Sequence, residues 1–159
     1  MHSSSEPLRR TTVERRGDRE IVVTRWFDAP ARLVFEAWSR PELFQRWWVP
    51  RSLGMTLYEC EMDVRTGGTY RLNFGEGMDF FGRYLEVVPP SRIVWTNDEG
   101  DEGGSVTTVT FDEQGGRTLL VMSELFASAE ALEADGGGAA EATEETFAQL
   151  EELLASLPG

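Results

Sequence analysis

Cys60 is the only thiol of the chain, Tyr70 and Tyr84 are candidate proton donors, and Glu61, Asp79 and Glu86 are carboxylates able to exchange protons with a substrate. With Arg71 or Arg83 as an oxyanion partner, these residue types would suit a cyclase or dehydratase working by general acid and base catalysis. The same charges read equally as an ordinary solvent-facing row on sheet strands. Cys60 sits between Glu59 and Glu61, which disfavour a thiolate, and it reads as a buried, inert side chain. The sole histidine is His2, so Ser-His-Asp and Cys-His catalysis and His-ligated zinc drop out. The absence of lysine likewise excludes Schiff-base catalysis and a P-loop lysine.

Two further motifs fail on spacing. In NDEGDEGGS the carboxylates Asp98, Glu99, Asp101 and Glu102 invite a calcium reading, but Gly100 falls where a ligand is needed and no glutamate closes a twelve-residue loop. A solvated hairpin is expected there. Gly67-Gly68 and Gly136 to Gly138 lack the strand-glycine-helix context of a dinucleotide fingerprint. No catalytic residue, metal or cofactor is therefore assigned.

The elements that position these residues follow from periodicity. EIVVTRWFDAP, from Glu20, places Ile21, Val23, Arg25 and Phe27 on one face and Val22, Thr24 and Trp26 on the other, a strand apolar on both sides. Pro30 suits a first helical turn, and ARLVFEAWS sets Leu33, Val34, Ala37 and Trp38 at helical spacing. A second short helix runs from Pro41 through Trp48 and stops at Pro50. Residues 55 to 126 read as six strands. MTLYECEMDV puts Tyr58, Cys60, Met62 and Val64 on one face, and TYRLNF returns with Tyr70, Leu72 and Phe74 inward. The strand over residues 79–88 has aromatics on both faces and leaves its inner face open. RIVWTND, SVTTVTFDE and RTLLVMSELF complete the series. In AAEATEETFAQLEELLASLPG, Thr143, Thr146, Phe147, Leu150, Leu153, Leu154 and Leu157 recur at three and four residues, an amphipathic helix suited to covering the sheet.

The chain's 159 residues suit one domain, expected over residues 20–157 behind a disordered leader over residues 1–19. The formal charge of −13 is uneven: residues 98 to 159 carry fifteen carboxylates and a single arginine, Arg117. Such a surface repels phosphate backbones, so no nucleic acid is expected. No apolar run approaches a membrane span and the N-terminus lacks a signal-peptide centre, which gives a cytoplasmic expectation with no membrane partner. A lone cysteine agrees with a reducing compartment.

Four motifs in register, RWFDAPARLVFEAWSRPELFQRWWVP, CEMDVRTGGTYRLNF, FFGRYLEVVPPSRIVWT and EETFAQLEELLAS, resemble the SRPBCC or START-like superfamily. They are most similar to its AHSA-type branch, related to the C-terminal domain of the activator of the heat-shock chaperone ATPase. The resemblance spans roughly residues 20 to 157. It implies an α+β, helix-grip (Bet v I-like) fold: a curved antiparallel sheet of about seven strands, two short helices, and one long C-terminal helix with a cavity beneath it. In the family's pattern Trp47 is a core anchor and Trp48 lies nearer the cavity mouth. Two positions depart from the pattern. Arg40 stands where an Asp often caps the second helix, so Ser39 or solvent must serve. Ala142-Thr143 and Thr146-Phe147 stand where relatives often carry Gly-Trp or Gly-Met.

The candidate ligand-binding set is Trp48, Tyr58, Cys60, Met62, Tyr70, Leu72, Phe74, Trp95, Met122, Phe147 and Leu150, an apolar lining with polar edges. The same residues would also make a solid core. The leading expectation is non-enzymatic binding of a small hydrophobic or aromatic molecule between sheet and terminal helix. A cyclase or dehydratase and a chaperone-regulating interaction module are the alternatives, and a homodimer is left open.

Overall fold

The computed structural model of the chain describes residues 11–49, 51–75, 79–98, 105–135 and 138–157. In chain order the strands are β1 (Thr12–Arg16), β2 (Glu20–Phe27), β3 (Glu59–Met62), β4 (Thr69–Asn73), β5 (Asp79–Val88), β6 (Arg92–Asn97), β7 (Ser105–Gln114) and β8 (Arg117–Leu125). They form one antiparallel sheet ordered β1-β2-β8-β7-β6-β5-β4-β3. The helices are α1 (Ala31–Ser39), α2 (Pro41–Trp47), α3 (Ala129–Asp135) and α4 (Gly138–Ser156), with a 3-10 turn at Arg51–Leu53. This is the helix-grip arrangement expected, with eight strands instead of about seven.

The additional strand lies in the segment expected to be a disordered leader. Residues 12–16 pair with β2 in register from Thr12↔Thr24 to Arg16↔Glu20, although every side chain of TVERR is exposed. Backbone hydrogen bonds hold it, with Arg15 paired to Glu133 of α3 at 2.7 Å and no apolar side chain buried, which is why no hydrophobic alternation announces it. Residues 1–10, Pro50 with its stop signal, the loop carrying Glu99 to Glu102 and Gly136-Gly137 lie outside the described residues. The short α3 is a second element that the sequence reading omitted.

β5 explains its own ambiguity. A register shift between Tyr84 and Glu86 marks a bulge, so Gly82 and Tyr84 are buried before it, while beyond it Val87 packs on the core. An extra residue at a bulge breaks strict alternation. Gly82 is required where it stands: a Cβ there would run into the Thr96 carbonyl oxygen and approach the Tyr70 ring.

The helices are placed by specific contacts. Pro30 is the N-cap of α1 and not its first helical residue, and the Ala31 amide donates to Glu113 of β7 at 2.9 Å. Arg40 begins α2 with extended backbone and no side-chain cap; its guanidinium instead donates to Glu42 at 2.9 and 2.6 Å. α4 lies across the sheet, with Phe147 edge-on to Phe27 of β2 at 5.5 Å. One helical turn on, Arg25 of β2, only 4% exposed, forms an ion pair with Glu151 of α4. The centre of the core is Trp47, 0% exposed, whose indole N–H donates to the Ala37 carbonyl at 2.9 Å. That carbonyl would ordinarily accept from residue 41 in a continuing helix, but residue 41 is a proline without an N–H. Trp47 thus satisfies the acceptor that the break between α1 and α2 leaves behind.

Candidate functional site

Between the sheet and α4 lies a cavity of about 430 Å³. Its walls come from six successive strands, which requires the sheet to bend around it. Met62 comes from β3, Tyr70 and Leu72 from β4, and Phe80 and Tyr84 from β5. Ile93 and Trp95 follow from β6, Thr107 from β7 and Met122 from β8. The lid side is Phe147, Thr143 and Thr146 of α4, with Trp38 of α1 and Phe44 of α2 closing one end. At 430 Å³ the volume is within the range of small-molecule sites.

Of the expected lining set, the structure brings Trp48, Met62, Tyr70, Leu72, Phe74, Trp95, Met122 and Phe147 to this wall. Three residues lie elsewhere. Tyr58 is 68% exposed and precedes β3, the strand at the edge of the sheet. Cys60 is on the inward parity of β3 but meets α2, its sulfur 3.9 Å from the Pro41 carbonyl. Leu150 is fully buried one turn beyond Phe147, where α4 has passed the cavity and packs on solid core.

The paired tryptophans divide as the family resemblance implies. Trp47 is core. Trp48 is half-buried, stacks on Phe44 with ring centres 4.8 Å apart, and lines the cavity. The segment after it is fastened to α4. Gln149 donates to the carbonyls of Trp47 and Val49 at 2.9 Å each and accepts from the Arg51 amide at 2.9 Å. Ser52 donates through its hydroxyl (2.6 Å) and its amide (3.0 Å) to Glu145, which holds that carboxyl below its ordinary range. Val49 and Met55, on this segment, belong to the wall. The clamp therefore positions the side of the cavity nearest solvent.

The proposed acid–base groups do not converge on this cavity: Glu61, Arg71, Asp79 and Arg83, with Tyr70, border a separate, open groove on the surface of β3, β4 and β5. Asp79 pairs with Arg71 at 3.3 Å, Glu86 with Arg92 at 2.8 Å and Arg83 with Asp98 at 3.4 Å, all at the exposed surface; Glu61 is exposed on β3. Tyr70 and Tyr84 do reach the cavity. Tyr70 donates to the Thr96 carbonyl at 2.8 Å, and burial pushes the Tyr84 hydroxyl well above its ordinary value. Among the described residues the carboxylate in the wall is Glu124 of β8, which the sequence reading passed over. A signal for it existed: Glu124 shares strand parity with Met122, as Asn97 does with Trp95.

Burial raises the Cys60 thiol from 9.0 to about 11. The thiolate fraction at pH 8 then falls on the order of 100-fold below that of an unperturbed cysteine, since each unit is a factor of ten. Alkylation by iodoacetamide at pH 8 should accordingly be slower than that of the denatured chain by at least about tenfold. Equal rates would show that the thiol is neither buried nor shifted. Among the described residues no cluster of three metal-ligating side chains occurs, and no described helix is long and apolar enough to cross a membrane.

Comparison with known proteins bears on this geometry. Residues 28–155 match the family described as "Activator of Hsp90 ATPase homolog 1-like protein". A solved structure from Rhodobacter sphaeroides is similar with a TM-score of 0.83 and 26% identity, covering 94% of this chain and 100% of that one. A Nitrosomonas europaea protein (TM-score 0.77, 20% identity, 89% and 97% covered) and protein Ms6760 of Mycobacterium smegmatis (0.76, 23%, 94% and 100%) share the fold. No curated protein matches the chain.

Proposed function

This chain belongs to the family of activator of Hsp90 ATPase homolog 1-like proteins, and on that footing we propose that it binds one small apolar or aromatic molecule between its sheet and α4. The observation that carries the proposal is the 430 Å³ cavity walled by aromatic, leucine, isoleucine and methionine side chains. Such walls offer water few hydrogen-bond partners, so transferring an apolar guest into them is favoured by about 25 cal/mol per Å² of its buried apolar surface. Met55, Met62 and Met122 add unbranched, polarisable wall segments that adapt to guest shape.

The test is calorimetry and native mass spectrometry with mixtures of aromatic hydrocarbons and fatty alcohols, comparing the parent chain with Thr146→Phe. Thr146 faces the cavity and its hydroxyl donates to the Thr143 carbonyl one turn earlier, so the larger ring enters the cavity. A guest at a hundredfold excess over its Kd should stabilise the parent by about 2.7 kcal/mol. Thr146→Phe should weaken it by at least about tenfold, the equivalent of 1.4 kcal/mol, while the variant's own Tm does not fall. No retained guest, or equal binding by the filled variant, removes the proposal.

An acid–base enzyme is the second reading, favoured by the presence of Glu124 in the wall. It is the weaker one. The Tyr70 hydroxyl has acceptors within the protein, the Thr96 carbonyl at 2.8 Å and the Asn97 side-chain oxygen at 3.2 Å, and burial makes Tyr84 a weaker acid than a free tyrosine. A chaperone-directed role rests on the family's description alone, without a residue of this chain to argue it from.

A further inference from the structure

Most hydroxyls of the cavity wall are tied into the protein. Tyr70 donates to the Thr96 carbonyl at 2.8 Å, Thr146 donates to the Thr143 carbonyl at 3.2 Å, and Thr107 accepts from the Asn97 amide at 3.1 Å. Tyr84 differs. It stands on the inward face of β5, only 5% exposed, as the cross-strand partner of Trp95 on β6, and both side chains line the cavity. Its ring packs beside that of Tyr70, with centres 5.6 Å apart, yet its hydroxyl makes no hydrogen bond among the described residues. Burial raises its pKa, and the neighbouring acidic groups of Cys60 and Asp63 add to the rise. The group therefore keeps its proton through the neutral range and stands ready as a neutral donor.

A second donor of the wall also lacks an acceptor. Trp38, 2% exposed, lies 5.8 Å from Trp95 between ring centres, and its indole N–H has no partner among the described residues. The Trp38 nitrogen is enclosed by protein, whereas the Tyr84 oxygen still borders open space, so Tyr84 is the donor that a guest can reach. A hydrocarbon filling the cavity would shut water away from that hydroxyl and offer nothing in return, which is unfavourable. An anionic acceptor meets a different obstacle. No arginine lines the cavity among the described residues and the chain has no lysine, so the anion would be buried without a cation to offset its lost hydration.

We propose that the guest carries a neutral hydrogen-bond acceptor, a ketone or quinone-type carbonyl on an aromatic body, and that the Tyr84 hydroxyl donates to it. This rests on the cavity being the binding site and narrows the class of molecule bound there. Because a ketone is better hydrated than a hydrocarbon of the same shape, the contribution of Tyr84 is read as a change in their affinity ratio and not from one affinity alone.

The test uses three naphthalene probes: acetylnaphthalene, isopropenylnaphthalene, in which a CH2 group replaces the carbonyl oxygen, and naphthoate. Each is titrated by calorimetry into the full chain and into Tyr84→Phe. The ketone-to-alkene affinity ratio should fall about fivefold in the variant, the loss expected of a single neutral hydrogen bond. Naphthoate should bind the parent less tightly than the ketone. The infrared carbonyl stretch of the bound ketone should lie at lower frequency in the parent than in Tyr84→Phe, a signature that a merely structural role for the tyrosine would not produce. The Tm of the free variant should not fall, since the hydroxyl removed had no partner. An unchanged ratio, a carbonyl stretch equal in the two proteins, or naphthoate bound most tightly overturns the acceptor rule and leaves the cavity reading standing. Failure of both neutral probes to bind the parent overturns the cavity reading itself. A Tyr84→Phe chain that does not fold would show that the hydroxyl is bonded within the protein, and the proposal falls.

Discussion

Trp47→Ala should lower unfolding free energy by about 3–5 kcal/mol in urea denaturation, whereas Trp48→Ala should cost roughly 1–2 kcal/mol and instead weaken guest binding. The neighbours are chemically identical and differ in what surrounds them. Trp47 has no exposed surface, meets Trp38, Phe44 and Phe147, and supplies the hydrogen bond that Pro41 cannot give to the Ala37 carbonyl. Truncation there removes a large buried side chain and leaves a buried acceptor unsatisfied. Trp48 has one face on Phe44 and another on the cavity. A Trp47→Phe control, which keeps most of the ring but not the donor, should fall between parent and alanine. Equal stability losses at the two positions would refute the division of roles.

Arg25→Ala is the second large effect, an expected loss of about 3–5 kcal/mol that added salt alters little. Arg25 lies on the inward face of β2, its guanidinium 5.1 Å from the Phe27 ring centre and paired with Glu151 of α4. Removing the cation deprives Glu151, itself only 26% exposed, of this ion pair. Replacing both partners together, as Arg25→Met with Glu151→Leu, should recover much of the loss, because separating a buried pair costs more than its net attraction contributes. The measurement is a double-mutant cycle in urea. A single-variant cost under about 1 kcal/mol, typical of a surface pair, would place Arg25 in solvent.

The sheet and its covering helix were legible because their alternation and helical repeats report burial directly. β6, β7 and β8 lie within a residue or so of the stretches RIVWTND, SVTTVTFDE and RTLLVMSELF. β1 was not legible, since five exposed side chains leave no hydrophobic trace of backbone pairing. The inner face of β5 was obscured by its bulge, which changes parity part-way along. Site assignment failed where parity was right but coverage was not: Tyr58 and Cys60 share a face with Met62, yet only Met62 meets the cavity. Coverage depends on where α2 and α4 cross the sheet, a tertiary fact that a strand's own pattern does not encode. Glu124 was overlooked for the opposite reason. A glutamate is usually read as solvent-facing, but two residues from an inward methionine it should prompt the question of which partner it meets.

The indoles gathered around α1 have an optical consequence. Trp38 has ring centres 4.7 Å from Trp47 and 5.8 Å from both Trp48 and Trp95, and the last two border the cavity. Chromophores this close exchange excitation energy, so a change in environment at Trp48 or Trp95 alters emission collected from the whole group. The protein thereby contains its own dye: occupancy is readable from intrinsic fluorescence and near-ultraviolet dichroism without attaching a label.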